Sequence, residues 1–282
     1  MRKIFLYSIF NLTILLGQFS YPAEDFLGGG IGYSPMYIKL DKIPGSEFLD
    51  RLGLDPENFS DPFVIHGGEG FAHVTGRWRI GGYAGMGGSS VSTIPAIKVY
   101  VDTGEPGYDD ETSVDYTDAF NPSIKAKFSL LLGAASVEYV MPLLQDLELS
   151  SGALMGLGRV SMAIDQQSGN PKWEKVFTNA YGTIKLDTLY YPVADTDNPD
   201  QIVPGEVAGL QRDVSAAYFN FQPYIAVKWQ FLERLGLRIS LGANKGTVRA
   251  GSWKLNGRTP ISDSPNSSIS GLTFRTMLYI GL

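Results

Sequence analysis

The chain has 282 residues, a formal charge of −6, a mean hydropathy of −0.03 and no cysteine. An acidic chain lacks the electrostatic footprint of a nucleic-acid binder. The absence of cysteine excludes disulfides, thiol catalysis, Cys-type zinc sites and a lipid-modified cysteine at a processing site.

Met1-Arg2-Lys3 is basic, Ile4 to Leu16 is largely apolar, and Gly17, Ser20 and Ala23 are small. That order predicts a secretory signal peptide within residues 1–23, cut between 17 and 23, followed by a single domain over 24–282. Cleavage before Glu24 removes Arg2 and Lys3 and takes the charge from −6 to −8. Beyond this leader no stretch approaches the roughly 18–20 apolar residues of a spanning helix. A hydropathy near zero does not exclude a membrane protein, because strands of alternating polarity average out in any window.

The first predicted strand is Gly29 to Lys39, with Pro35 inside it as a point of weakness. Between Leu40 and Pro62, Ser46 to Gly53 reads as a short capped helix ended by glycine, placed across the mouth of whatever the strands enclose. Phe63 to Thr75 and Arg77 to Gly88 form a glycine-rich pair around a tight turn near Gly76. Trp78, Ile80, Ala84 and Met86 share one face, with Arg77, Arg79 and Tyr83 on the other.

The next pair is Ile124 to Met141 and Leu147 to Ile164, joined at Pro142 to Asp146. Here Ala126, Phe128, Leu130 and Leu132 hold one parity, while Val137, Tyr139 and Met141 hold the other. A switch of parity near Gly133-Ala134-Ala135 predicts a bulge, and a second is predicted near Gly158-Arg159. Tyr218 to Phe231 is the clearest strand. Phe219, Phe221, Ile225, Val227, Trp229 and Phe231 alternate with Asn220, Gln222, Tyr224, Ala226, Lys228 and Gln230. It is longer than the 5–6 residues usual in globular sheets, and it suits a tilted membrane strand of about 9–11 residues with overhang. After Leu232 to Arg234 comes Leu235 to Asn244, and the last strand is Leu272 to Leu282.

These are eight strands. Three connections are short and four are long: Leu40 to Pro62, Ser89 to Ser123, Asp165 to Arg212 and Gly251 to Ser270. This alternation predicts an all-β, antiparallel, up-and-down transmembrane β-barrel with short turns at one end and long loops at the other. Ile97 to Val101 and Tyr181 to Tyr191 leave ten strands open.

The inward face would hold Arg79, Lys125, Lys127, Lys228, Arg238 and Arg275 against Glu69, Glu138 and Glu148. Eight strands enclose just enough room for side chains, and buried charges must pair. These residues therefore read as an internal salt-bridge network rather than a channel lining. His66 and His73 differ by an odd number and point to opposite faces of an unbroken strand. No HExxH or GxSxG motif is present. Gly28-Gly29-Gly30 and Gly156-Leu157-Gly158 make no nucleotide fingerprint. The acidic stretches Asp102 to Glu111 and Asp195 to Asp200 offer oxygen ligands but not the spacing of an EF-hand, and read as solvated loops.

Leader, loop alternation and a two-sided terminal strand together resemble small bacterial outer-membrane β-barrel proteins. Leu282 stands where that class usually ends in Phe or Trp. The resemblance implies the outer membrane of a Gram-negative cell and a non-enzymatic anchor without cofactor or metal. Its lipid partner would be the outer membrane, and its loops would meet surface polysaccharide or protein. A small-solute channel, a lipid-modifying enzyme in the barrel wall and a soluble exported sandwich compete with this reading.

Overall fold

The computed structural model describes residues 28–99, 114–115, 117–144, 146–167, 183–185, 188–190 and 211–281. The predicted leader at 1–23, both acidic stretches and Leu282 lie outside them. In chain order the strands are β1 (Gly29–Tyr33), β2 (Met36–Leu40), β3 (Phe63–Thr75), β4 (Trp78–Thr93), β5 (Lys98–Val99), β6 (Val114–Asp115), β7 (Ser123–Leu144), β8 (Leu147–Gln167), β9 (Thr183–Lys185), β10 (Thr188–Tyr190), β11 (Gln211–Gln230), β12 (Leu235–Val248), β13 (Lys254–Leu255), β14 (Thr259–Pro260) and β15 (Ser267–Gly281).

Pairing runs β3-β4-β7-β8-β11-β12-β15 and returns through β1 and β2 to β3, so the sheet closes on itself. β1 and β2 form one stave of the barrel. Tyr33 pairs with Leu278 and Met36 with Arg275, so register on β15 is unchanged across Ser34-Pro35. Proline has no N–H to give. The neighbouring groups remain in use: the Ser34 amide donates to the Gly67 carbonyl at 2.8 Å, and the Pro35 carbonyl accepts from the Thr276 amide at 3.3 Å.

The barrel therefore has eight staves. The candidates for a ninth and tenth form separate two-stranded sheets, β5 with β6 and β9 with β10. They belong to a second compact unit, Thr93–Ile124 with Asp165–Gln211. Within that unit Asp115 caps a one-turn helix, Thr117–Phe120, by accepting the Thr117 amide at 2.8 Å.

Closure leaves the eight staves without a free lateral edge, and alternation then sorts side chains into wall and interior. On β11, Ile225 is 57% exposed while its neighbours Tyr224 and Ala226 are 4% and 2% exposed. The same alternation runs through β3, β4, β12 and β15. Ile31, Trp78, Met86, Leu157, Leu241 and Leu272 stand on the outer wall. On β7 the outward apolar set runs from Leu131 to Tyr139, within the roughly 9–11 residues a tilted membrane strand requires.

Neither predicted change of parity occurs. On β7 the even residues face inward from Ala126 through Leu132 to Ser136, Glu138 and Val140, and on β8 from Glu148 to Met162. The apparent switch has another cause: the interior changes character along the barrel. Toward the long-loop end it is apolar, so Ala126, Phe128, Leu130 and Leu132 point inward rather than outward. Lys125 and Lys127, on the opposite parity, face solvent and not the interior.

The segment between β2 and β3 supplies much of that apolar layer. Leu49, Leu54 and Phe59 are buried. Phe59 and Phe63 both meet Phe128 edge-on, with ring centroids 6.5 and 5.3 Å away. The predicted helix here is two 3-10 turns, Ser46–Phe48 and Asp50–Leu52, the second ended by Gly53 at φ 68°. At both ends of the barrel bulky interior rings are fitted against inward glycines. A Cβ on Gly236 would lie 2.2 Å from the Tyr279 hydroxyl, and one on Gly158 would lie 2.3 Å from the Tyr218 ring.

Candidate functional site

The charged layer lies inside the barrel, toward the short turns from the apolar layer. Each member is placed there by parity: Glu69 and Arg79 are odd on β3 and β4, and Arg275 is odd on β15. Glu138, Glu148, Lys228 and Arg238 are even on β7, β8, β11 and β12. All seven are at most 9% exposed.

The structure joins them into one alternating chain of cation and anion. Arg275 Nη1 donates to Glu69 Oε2 at 3.1 Å, and Arg238 Nη1 pairs with Glu69 Oε1. Arg238 Nη2 donates to Glu138 Oε1 at 2.6 Å, and Arg79 Nη1 lies 3.5 Å from Glu138 Oε2. Arg79 Nη2 donates to Glu148 Oε2 at 2.5 Å, and Lys228 Nζ donates to Glu148 Oε1 at 3.0 Å. Each carboxylate is thus held between two cations, and the chain draws one residue from each of seven staves.

Neutral groups add to it. Ser34 Oγ donates to Glu69 at 3.1 Å and Tyr224 Oη donates to Glu138 at 2.7 Å. Aromatic faces cover the guanidinium groups: Arg79 lies 4.6 Å from the Phe71 centroid, and Arg275 lies 4.7 Å from that of Tyr224. Such contacts stabilise a cation that has lost its water. Ser34 and Phe71 are partners that sequence reasoning missed. Their signal was inward parity at the level of Glu69 and Arg79, and Tyr224 carried the same signal.

The histidines do not converge. His73 faces inward, with Nε2 2.9 Å from Arg79 Nη2. His66 is exposed on the wall, its Nδ1 2.6 Å from the Tyr33 hydroxyl. Among the described residues no three His, Asp or Glu side chains are grouped to hold a metal ion. Chemically the interior network offers fixed, paired charges, four cations against three carboxylates.

No protein-family model matches the chain, and no curated protein matches it. Solved structures do. The outer membrane protein OprG from Pseudomonas aeruginosa is 8% identical with a TM-score of 0.38, over 91% of this chain and 96% of its own. Ail, the attachment invasion locus protein of Yersinia pestis, is 8% identical with a TM-score of 0.34, over 90% and 97%. The outer membrane protease OmpT from Escherichia coli is 10% identical with a TM-score of 0.31, over 94% and 98%. These are likenesses of architecture; the barrel itself stands on the closed ring of pairings.

Proposed function

We propose that the chain is a non-enzymatic bacterial outer-membrane β-barrel, an anchor whose long segments form its working surface toward polysaccharide or protein outside the cell. The apolar wall supports insertion in lipid. The observation that carries the anchor reading is the filled interior. An ion chain crosses it at one level, and Leu49, Leu54 and Phe59 pack into it at another. An eight-stave interior is just wide enough for side chains to fill, which supports an anchor over a solute path.

The purified protein in planar bilayers is expected to show no stable conductance. A steady, ion-selective single-channel current from the unaltered chain would overturn the anchor reading in favour of a solute channel.

Orientation follows from the loops. With the short turns in the periplasm, a tag inserted at 195–200 is expected to label on intact cells, and one at Leu232–Arg234 only after lysis. The reverse pattern would invert the topology.

A further inference from the structure

Just beyond the apolar band, on the long-loop side, one sector of the wall is basic although the chain as a whole is acidic. On β7, Leu131 is the last outward apolar residue before Ser129 and Lys127; on β8, Leu157 is followed outward by Arg159 and Ser161. Ser129 and Ser161 share a hydrogen bond of 2.6 Å, which fixes these two rows side by side. Arg159 Nη2 donates to Ser215 Oγ on β11 at 2.8 Å. Ser215 in turn stands opposite Lys254 of β13. The turn after β13 passes over the same guanidinium, since a Cβ on Gly257 would lie 3.4 Å from Arg159 Nη2. Arg258 follows in that turn. Lys127, Arg159, Lys254 and Arg258 are all exposed.

None of the four is within ion-pair distance of a carboxylate among the described residues. Asp213 is the carboxylate nearest in register, two residues beyond Ser215 on β11. Its backbone is tied to Asn256, whose amide donates to the Asp213 carbonyl at 2.6 Å. Among the described residues of these rows Asp165 and Asp213 are the carboxylates, so four cations face two and the sector is net positive.

We infer that this sector binds the phosphate-bearing headgroup of an anionic lipid in the outer leaflet. The inference rests on the outer-membrane reading above. Three observations fit that one occupant. The cations lie at the depth where the apolar wall ends, which is where lipid phosphates sit. Arg159 is held by Ser215 with the rest of its fork available, and a planar fork suits phosphate oxygens. Leu131 and Leu157 directly beneath offer acyl chains a surface. A second pair of wall cations at this depth, Lys39 and Lys245, is set apart: Asp61 shares the groove of Lys39, and the Asp41 amide bonds the Ser270 carbonyl, opposite Lys245. That pair serves as a control.

The test uses the folded chain in non-ionic detergent, with native mass spectrometry to count retained lipid. Phosphatidylglycerol and phosphatidylcholine are titrated separately, and inorganic phosphate in a third series. The unaltered protein is expected to retain phosphatidylglycerol in preference. The triple variant R159Q/K254Q/R258Q is expected to lose roughly a hundredfold in affinity, because basic residues at a charged surface act additively. The variant K39Q/K245Q is expected to bind as the unaltered chain does.

Equal retention of both lipids, or equal loss in the two variants, would overturn the site. Inorganic phosphate binding as tightly as phosphatidylglycerol would make it a free-anion site and overturn the lipid assignment. Flotation with phosphatidylcholine vesicles separates the two readings. A chain that does not float sinks the membrane reading and this site together, whereas one that floats without lipid preference sinks the site alone.

Discussion

Replacing Arg238 with Ala is expected to destabilise the barrel by about 3–5 kcal/mol, the range for removing one partner from a buried ion pair. Arg238 is the central cation, holding Glu69 with one nitrogen and Glu138 with the other, and it is 1% exposed. Its loss leaves Glu69 to Arg275 and Ser34, and Glu138 to Tyr224 and the more distant Arg79. The interior then contains as many carboxylates as cations, yet two of those carboxylates have lost their principal partner. Local pairing, not net interior charge, sets the cost.

The measurement is reversible urea unfolding in phospholipid vesicles. The double variant R238A/E138Q separates the causes. If the cost of R238A is an unpaired carboxylate, neutralising Glu138 recovers part of it, and the two changes together cost less than their sum. Strict additivity, or a loss below about 1 kcal/mol as for a surface pair, would show that the chain of charges does not hold the staves.

How much of this was readable beforehand differs from strand to strand. β11 was clear because its outward residues are large and apolar and its inward ones polar, so period and polarity agree. The seven charges were legible for a related reason: an ionised side chain at the depth of the apolar band has only the interior to occupy. The reasoning failed where either condition failed. Lys125 and Lys127 lie beyond the band, where the wall meets water, and face outward at no cost. Phe128 and Leu130 look lipid-facing by polarity, but they line an interior that Leu49, Leu54 and Phe59 make apolar. A period of two tells which residues share a face. Which face is the interior depends here on a segment some seventy positions away in the chain, and nothing local to β7 records it.

Introducing Arg at Ile225 tests the wall, and its expected cost depends on depth. Ile225 is midway along the outward run from Phe219 to Phe231 and is 57% exposed. In a barrel inserted in lipid this is the bilayer midplane, where an outward Arg costs about 2–4 kcal/mol, falling to about 0–1 kcal/mol near the interfaces. Ser268 on β15 also faces outward but lies beyond Leu272, where the apolar residues end. Ser268→Arg is therefore expected to be nearly silent in the same urea titration. Ala226→Arg should be costly for a different reason. Ala226 is 2% exposed between Tyr224 and Lys228, so Arg there overpacks the interior and adds a fifth cation to three carboxylates. Transfer from vesicles to detergent micelles distinguishes the two mechanisms. Micelles deform around a wall charge, so most of the Ile225→Arg penalty should disappear, while the Ala226→Arg penalty, set by protein packing, should persist. Equal penalties at Ile225 and Ser268 in vesicles would mean that the apolar wall does not face a bilayer.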